Sequence, residues 1–353
     1  MTDAGPSRRH TLPVRILATG SYEPSTLVTS QELDARFDRA PGESLARSGV
    51  ASRRWASPEE TSSRMATAAV REALERAGLG VDDLDALIVS AVSPEQPMPT
   101  TAVLTLAALG ATGGAAEGFD VNTSCVGFLT GLRAGAAGIA TGQWSRVAVV
   151  ATEIASKGLN HDSVEASALF GDGAGAVVLG RADDTGTDAD TGTGTEAAAP
   201  PAVLASRVAL WPEAAGACRI DAGGTRLNVV TPPDDLDSYL FTMDGAILLR
   251  HVAKNLPAFL DGVLAEAGVT LEDIDVVVPH QASGVGMRYL VERVAPHPER
   301  VVDILRDHGN QVSASIPVAL DHAVTTGRLR RGDLVLLAGT GAGLSLAAAV
   351  LRY

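Results

Sequence analysis

Apolar positions along this chain alternate between two periods, and the alternation marks its elements. Val14-Arg15-Ile16-Leu17, followed by Gly20 and Pro24, reads as a strand that runs into a turn. Residues 63–77 place small and apolar side chains at helical spacing, and Gly78 stands where the helix should stop. Residues 84–93 then form an apolar run that predicts a buried strand. Residues 118–121 predict a short strand, and 126–142 a helix rich in Gly and Ala. Two stretches lack any period. Residues 1–13 are polar, carry Pro6 and Pro13, and read as a flexible leader. Residues 181–202, built of Thr, Gly, Asp, Ala and Pro, read as a low-complexity insertion that can bury little.

The pattern also repeats. Glu72 to Gly78 leads into Val81-Asp82-Asp83-Leu84-Asp85 and an apolar strand; Leu264 to Gly268 leads into Leu271-Glu272-Asp273-Ile274-Asp275 and another. Gly78 and Gly268 are 190 positions apart, as are Asp85 and Asp275. A second echo matches the glycine run from Gly171 to that from Gly339 at an offset of 168, which puts extra length in the first copy between 78 and 171. Two α/β halves follow, over 14–180 and 203–353, rather than two unrelated domains.

Composition narrows the function classes. The chain has 353 residues, 46 % apolar and 20 % charged, and 28 basic against 42 acidic residues give a net charge of −14. That balance excludes the basic field expected of a nucleic-acid or anionic-membrane binder. No apolar run approaches the roughly 20 residues of a membrane span, and the N-terminal residues show no apolar signal core, so a cytoplasmic protein is expected. Two cysteines, Cys125 and Cys218, make neither a disulfide scaffold nor a four-cysteine zinc site. Cys218 has no motif around it and is read as structural.

Cys125 stands between the strand 118–121 and the helix that follows, at or near a helix N-terminus. Free N–H groups and the helix dipole there favour a thiolate and can hold an oxyanion. His280 directly follows the apolar run Val276-Val277-Val278-Pro279, at the strand end where α/β proteins gather ligands. Asn310 lies in a Gly-Asn turn before a small-residue helix, at the place in the second half that Cys125 occupies in the first; Cys125 and Ser313 are 188 positions apart. Two facing helix N-termini would bring Cys125 and Asn310 to one centre, with His280 on a neighbouring loop.

These residues, read with their neighbours, resemble the ketoacyl-acyl-carrier-protein synthase III branch of the thiolase superfamily. The matching stretches are Asn122 to Phe128, Leu169 to Ala176, Val278 to Ala282, Gly309-Asn310 through Ser315, and Gly339 to Leu344. The resemblance implies a five-layer αβαβα thiolase-like fold of two duplicated halves, a homodimer, acyl carrier protein as partner and acyl thioesters as substrates. It implies no metal and no redox cofactor; acyl groups arrive on coenzyme A or phosphopantetheine. By motif, Cys125 is the nucleophile, His280 and Asn310 hold the malonyl thioester carbonyl, and the N–H groups of Cys125 and Gly343 form the oxyanion hole. Met98 resembles a residue that crosses the dimer interface to line the partner's acyl pocket.

The chain also departs from the family pattern. Coenzyme A-primed members carry a Trp four residues before the Arg of a motif matched here by Arg47-Ser48-Gly49-Val50; that position is Glu43, and Trp55 is displaced. The carrier-docking Arg five residues after the histidine is Val285, and the residue three after it is Ser283. A specialised member, in secondary metabolism or polyketide assembly, is expected. A local basic rim of Arg47, Arg250, Lys254 and Arg288, with Ser283, is the candidate phosphopantetheine or carrier site, set against the acidic field of the whole chain. Decarboxylative condensation on an acyl-Cys125 is the leading function. Transfer of the acyl group to a hydroxyl or amine of a small molecule, with His280 as base, remains the second reading. A non-catalytic partner subunit is the third, and the intact Cys125 speaks against it.

Overall fold

The computed structural model describes residues 11–184, 199–294 and 297–353. Residues 1–10 of the expected leader and 185–198 of the expected insertion lie outside the described residues. Leu12 and Val203 exchange two backbone hydrogen bonds, of 2.9 and 3.0 Å, joining the start of one half to the start of the other.

The two halves build the same sheet. In the first, the strand order is Val14–Tyr22, Gly173–Arg181, Val147–Glu153, Ala86–Ser90 and Glu117–Val121. In the second it is Ala202–Leu210, Ser345–Arg352, Leu334–Gly341 and Val276–Pro279. The pairings match in sense: two antiparallel pairs, then a parallel one. The fifth strand of the first half pairs in parallel with Ala86–Ser90. In the second half its place is held by a single parallel bridge between Val277 and Val301.

Alternation along the strands sorts side chains into layers, because successive residues face opposite sides of a sheet. Leu87 and Val89 pack outward on the helix Ser62–Ala77, while Ala86 and Ile88 face inward on the helix Gly127–Ala140. In the second sheet Val277 and Leu336 face the helix Gly245–Ala267, while Val278 and Leu337 face inward on Ser315–Thr325. Helix, sheet, paired central helices, sheet and helix make the five-layer αβαβα thiolase-like fold. The central helices sit between two sheets, which demands small residues: a Cβ on Gly131 would lie 2.9 Å from Val149 and 3.3 Å from Ile88. Among the described residues no helix is long and apolar enough to cross a membrane.

The repeated acidic turns have a direct physical cause. Gly78 and Gly268 end their helices in the left-handed conformation, at φ 68° and 72°. Asp83 and Asp273 then accept the N–H of Gly80 and Thr270, both at 2.8 Å. Asp85 donates its N–H to the Arg146 carbonyl and accepts the Arg146 N–H on its side chain, both at 2.9 Å; Asp275 does the same with Leu334, at 2.9 and 2.8 Å. Each aspartate side chain thus extends the parallel ladder by one rung.

Hairpin register corrects the second echo. Arg146 and Leu334 hold equivalent places, 188 apart, so Glu153 corresponds to Gly341 on the outgoing strand. Glu153 pairs with Gly173, and Gly341 with Ser345, which are 172 apart. The glycine runs matched at 168 are therefore not equivalent: Gly171 precedes a return strand, whereas Gly339 belongs to an outgoing one. The connection between the two strands spans 154–172 in the first half and only 342–344 in the second.

Removing a rung should weaken the fold in proportion. Asp275→Ala is expected to lower unfolding free energy by about 1–2 kcal/mol, and Asp85→Ala, which loses bonds from both Ser145 and Arg146, by at least as much. Urea midpoints at constant slope would read this; an unchanged midpoint for either variant would show that the rung carries no load.

Candidate active site

The chain leaves the strand Glu117–Val121 and enters the helix Gly127–Ala140 through a tight turn. Asn122 organises it: its carbonyl oxygen accepts the Ser124 N–H at 2.9 Å, and its amide donates to the Val92 carbonyl at 3.1 Å. Ser124 is held at φ 51°. The helix then passes so close to the neighbouring strand that a Cβ on Gly127 would lie 2.1 Å from the Ser90 hydroxyl. Only glycine admits that approach.

The second half makes the same turn. Asn310 accepts the Val312 N–H at 2.8 Å and donates to the Ala282 carbonyl at 2.9 Å, with Val312 at φ 52°. A positive φ is costly for any side chain and more so for a β-branched one. The turn presenting Cys125 and the turn presenting Asn310 are one structure built twice, with the turn residues offset by 188 and the carbonyls that receive the two Asn side chains, Val92 and Ala282, offset by 190.

His280 follows the strand Val276–Pro279, its N–H bonded to the Ala338 carbonyl at 2.8 Å. Its ring is buried, and among the described residues its Nδ1 has no hydrogen-bond partner. Burial pushes its pKa down to about 4, so the imidazole is neutral at neutral pH.

Cys125, His280 and Asn310 line one cavity of about 560 Å³. Its walls are mostly apolar, with Leu159, Phe170, Phe241, Leu256 and Tyr289 among them. Part of the wall comes from the 154–172 connection, which Asp172 pins by accepting the N–H groups of Ala56 and Ser156, each at 2.8 Å. Buried Arg53 pins it again by donating to the Ala168 carbonyl.

The thiol state differs from the sequence expectation. Burial pushes the Cys125 pKa up, and the proximity of the ionisable Cys218 and Glu153 side chains pushes the same way. The N–H of Ala342 and its own N–H bond the sulfur and oppose this, without offsetting it. At a buried sulfur, desolvation of a full charge outweighs a helix dipole and two amides. The resting group is a thiol, not a preformed thiolate.

The other expected site residues fall into two groups. Arg47 and Ser283 do line the cavity. Arg47 pairs with Glu165 at 3.5 Å, both largely exposed, while the Ser283 hydroxyl accepts the Gly286 N–H at 3.1 Å and so caps the next helix. Arg250 and Lys254 are exposed on the helix Gly245–Ala267, and Arg288 on the helix Gly284–Val294; none of the three lines the cavity. Met98 is 84 % exposed and lies outside this cavity. Gly343 is displaced by one residue from its expected place: it turns the hairpin at φ 77°, and Ala342 instead presents its N–H to the sulfur. Trp55 is tied to the Phe170 carbonyl at 3.1 Å and is not at the mouth.

Among the cavity residues that sequence reasoning missed are Glu153, Cys218 and Glu165. Glu153 was readable in principle, as the last residue of a strand whose counterpart ends at Gly341. Cys218 and Glu165 had no local signal, because long-range packing alone brings them to the cavity.

The comparisons agree with this fold. Residues 119–196 match the family model described as 3-oxoacyl-[acyl-carrier-protein (ACP)] synthase III, and 264–353 match the model of its C-terminal part. A β-ketoacyl-[acyl-carrier-protein] synthase III of Symbiobacterium thermophilum is 36 % identical, over 97 % of this chain and 98 % of its own. The acetoacetyl CoA synthase of Streptomyces sp. strain CL190 is also 36 % identical, over 96 % and 98 %. Among solved structures, the priming β-ketosynthase of the R1128 polyketide pathway superposes with a TM-score of 0.84 at 31 % identity, covering 98 % of each chain. The 3-oxoacyl-[acyl-carrier-protein] synthase III of Aquifex aeolicus gives 0.83 at 31 %, over 96 % and 100 %.

With Cys218→Ser in place to remove the second thiol, iodoacetamide alkylation of Cys125 is expected to rise about tenfold per pH unit from pH 7 to 9, without levelling. The sign follows from the raised pKa, which keeps the thiolate a minor species over that range. A plateau near neutral pH would contradict the buried-thiol assignment.

Proposed function

Since the chain belongs to the β-ketoacyl-[acyl-carrier-protein] synthase III family, we propose that it takes an acyl group from a thioester onto Cys125 and condenses it with malonyl-acyl carrier protein, losing carbon dioxide. The observation that carries this reading is the meeting of Cys125, His280 and Asn310 in one cavity.

In the first step the Cys125 sulfur attacks the thioester carbonyl. Its proton leaves with the attack and ends on the departing carrier thiol. The N–H groups of Cys125 and Ala342 are placed to receive the charge that builds on the carbonyl oxygen. In the second step the malonyl C–C bond breaks, carbon dioxide departs and the electron pair moves into an enolate. Asn310 has one amide hydrogen on Ala282 and the other free for the enolate oxygen. Neutral His280 offers a second donor through Nε2. These interactions strengthen as charge develops, which is how they lower the barrier. The enolate carbon then attacks the acyl-cysteine, and Cys125 leaves as a thiolate that is reprotonated to a thiol. No electrons enter or leave the sequence and N–H donors meet the developing charge, so the reading calls for no redox cofactor and no metal.

A histidine pushed down to about 4 is a weak base, which supports condensation over transfer of the acyl group to a hydroxyl or amine. Specialised fatty-acid or polyketide assembly is supported by the likeness to a polyketide priming enzyme and by Glu43 and Val285 where a Trp and an Arg are usual. We assign Arg47 and Ser283 to the phosphopantetheine entrance, and the exposed Arg250, Lys254 and Arg288 to carrier docking. We also propose a homodimer in which the exposed Met98 loop reaches the partner's pocket, and a cytoplasmic location.

Intact mass after incubation with acyl thioesters, followed by malonyl-acyl carrier protein and a carbon dioxide assay, tests the two steps. Cys125→Ala is expected to abolish the adduct. Asn310→Ala should form it at near the natural rate, yet release carbon dioxide at least about a hundredfold more slowly. Lost acylation in Asn310→Ala would overturn the role assigned to Asn310, and no adduct with any acyl donor in the natural protein would overturn the function.

A further inference from the structure

Glu153 is a carboxyl group in the cavity wall that the proposed chemistry does not use. It ends the strand Val147–Glu153 and is 3 % exposed. One of its oxygens, Oε1, accepts two hydrogen bonds, from the Val92 N–H at 3.0 Å and from the Ser313 hydroxyl. Each bond leads to a different turn. The Val92 carbonyl is the group that receives the Asn122 side chain, which shapes the Cys125 turn. Ser313 directly follows Val312, the strained residue of the Asn310 turn.

Resting on the condensing function above, we propose that Glu153 is the positioning residue that locks the Cys125 turn and the Asn310 turn to one another. A single oxygen atom is bonded to both halves of the duplicated frame. It fixes the distance between the sulfur that holds the acyl group and the amide that holds the enolate, and carbon–carbon bond formation depends on that distance.

The duplication shows why the device is on one side only. Glu153 corresponds to Gly341, and Ser313 to Cys125, both at the offset of 188. Glu153 therefore stands to Ser313 as Gly341 stands to Cys125. A Cβ on Gly341 would already lie 3.3 Å from the Cys125 nitrogen and 2.5 Å from the Ser345 hydroxyl. In the second half a carboxyl covers Ser313, the counterpart of the nucleophile, which is fully buried. In the first half the glycine leaves the space over Cys125 open to substrate. Burial pushes the Glu153 pKa up to about 8, and the neighbouring Asp172 pushes the same way, so the group is chiefly protonated at neutral pH. Glutamine keeps Oε1 and both acceptor bonds, whereas alanine removes them.

The test uses the full-length protein and its Glu153→Gln, Glu153→Ala and Ser313→Ala variants, with acylation read by intact mass and condensation by carbon dioxide release. Glu153→Gln is expected within about threefold of the natural protein in both steps. Glu153→Ala should lose about tenfold or more in kcat for condensation with KM for malonyl-acyl carrier protein little changed, as expected when reacting groups are misplaced rather than unbound. Ser313→Ala should keep acylation and lose about tenfold in condensation, since only the Asn310 turn is released. If Glu153→Ala does not fold, Ser313→Ala and Glu153→Gln decide alone. Condensation within threefold in Ser313→Ala, or a Glu153→Gln as impaired as an alanine, overturns the positioning role. Failure of the natural protein to form an adduct or to release carbon dioxide would instead overturn the function beneath it.

Discussion

The site hangs on two residues held against their backbone preference, Ser124 and Val312. A positive φ costs on the order of 1–3 kcal/mol at such positions. The Asn side chain two residues earlier supplies the compensation, accepting one N–H inside the turn and donating to a carbonyl at the adjacent strand end. The helices that follow are buried between two sheets and cannot shift to relieve the strain. Release either turn and the sulfur of Cys125 or the amide of Asn310 leaves the cavity floor. The rest of the architecture serves to over-determine those two backbone angles.

Around Cys125, His280 and Glu153 the cavity wall is uncharged, although the chain carries a charge of −14 and the exposed Arg47–Glu165 pair lines another part of the same cavity. Cys125 is a thiol, His280 an uncharged imidazole and Glu153 a largely protonated acid, all for the same reason: burial penalises the charged form. Such a site suits a reaction whose charges are brief. Negative charge arises on a carbonyl oxygen and then on an enolate, and fixed N–H donors meet it without water having to reorganise. A resting ion pair in that space would compete for those donors.

Much of this was legible in the sequence, for physical reasons that differ by element. The helix expected over 63–77 is found at Ser62–Ala77, because its spacing and its glycine stop are local properties. Cys125, His280 and Asn310 were visible because each sits at a junction between an apolar run and a small-residue turn, and the duplication relates two of them. What failed were inferences needing register. The glycine runs look alike in sequence yet sit on different strands of their hairpins, and the same ambiguity moved the amide facing the sulfur from Ala342 to Gly343. The thiol state failed because a helix terminus is local, whereas the burial of the sulfur and its ionisable neighbours Cys218 and Glu153 are brought together only by the fold.

The connection 154–172 is far longer than its counterpart in the other half, where three residues suffice. It supplies Leu159, Glu165, Leu169 and Phe170 to the cavity wall, and the backbone of Leu169 and Gly171 is hydrogen-bonded to the backbone of Asn310. The frame that holds the reacting groups is thus shared by both halves, while this segment of the cavity wall belongs to the first half alone and meets side chains such as Phe241, Leu256 and Tyr289 from the second. Changes in that lining can alter which acyl chains are admitted and leave the duplicated frame as it is. Within one chain, the symmetric part is committed to chemistry and the asymmetric part is free to diversify.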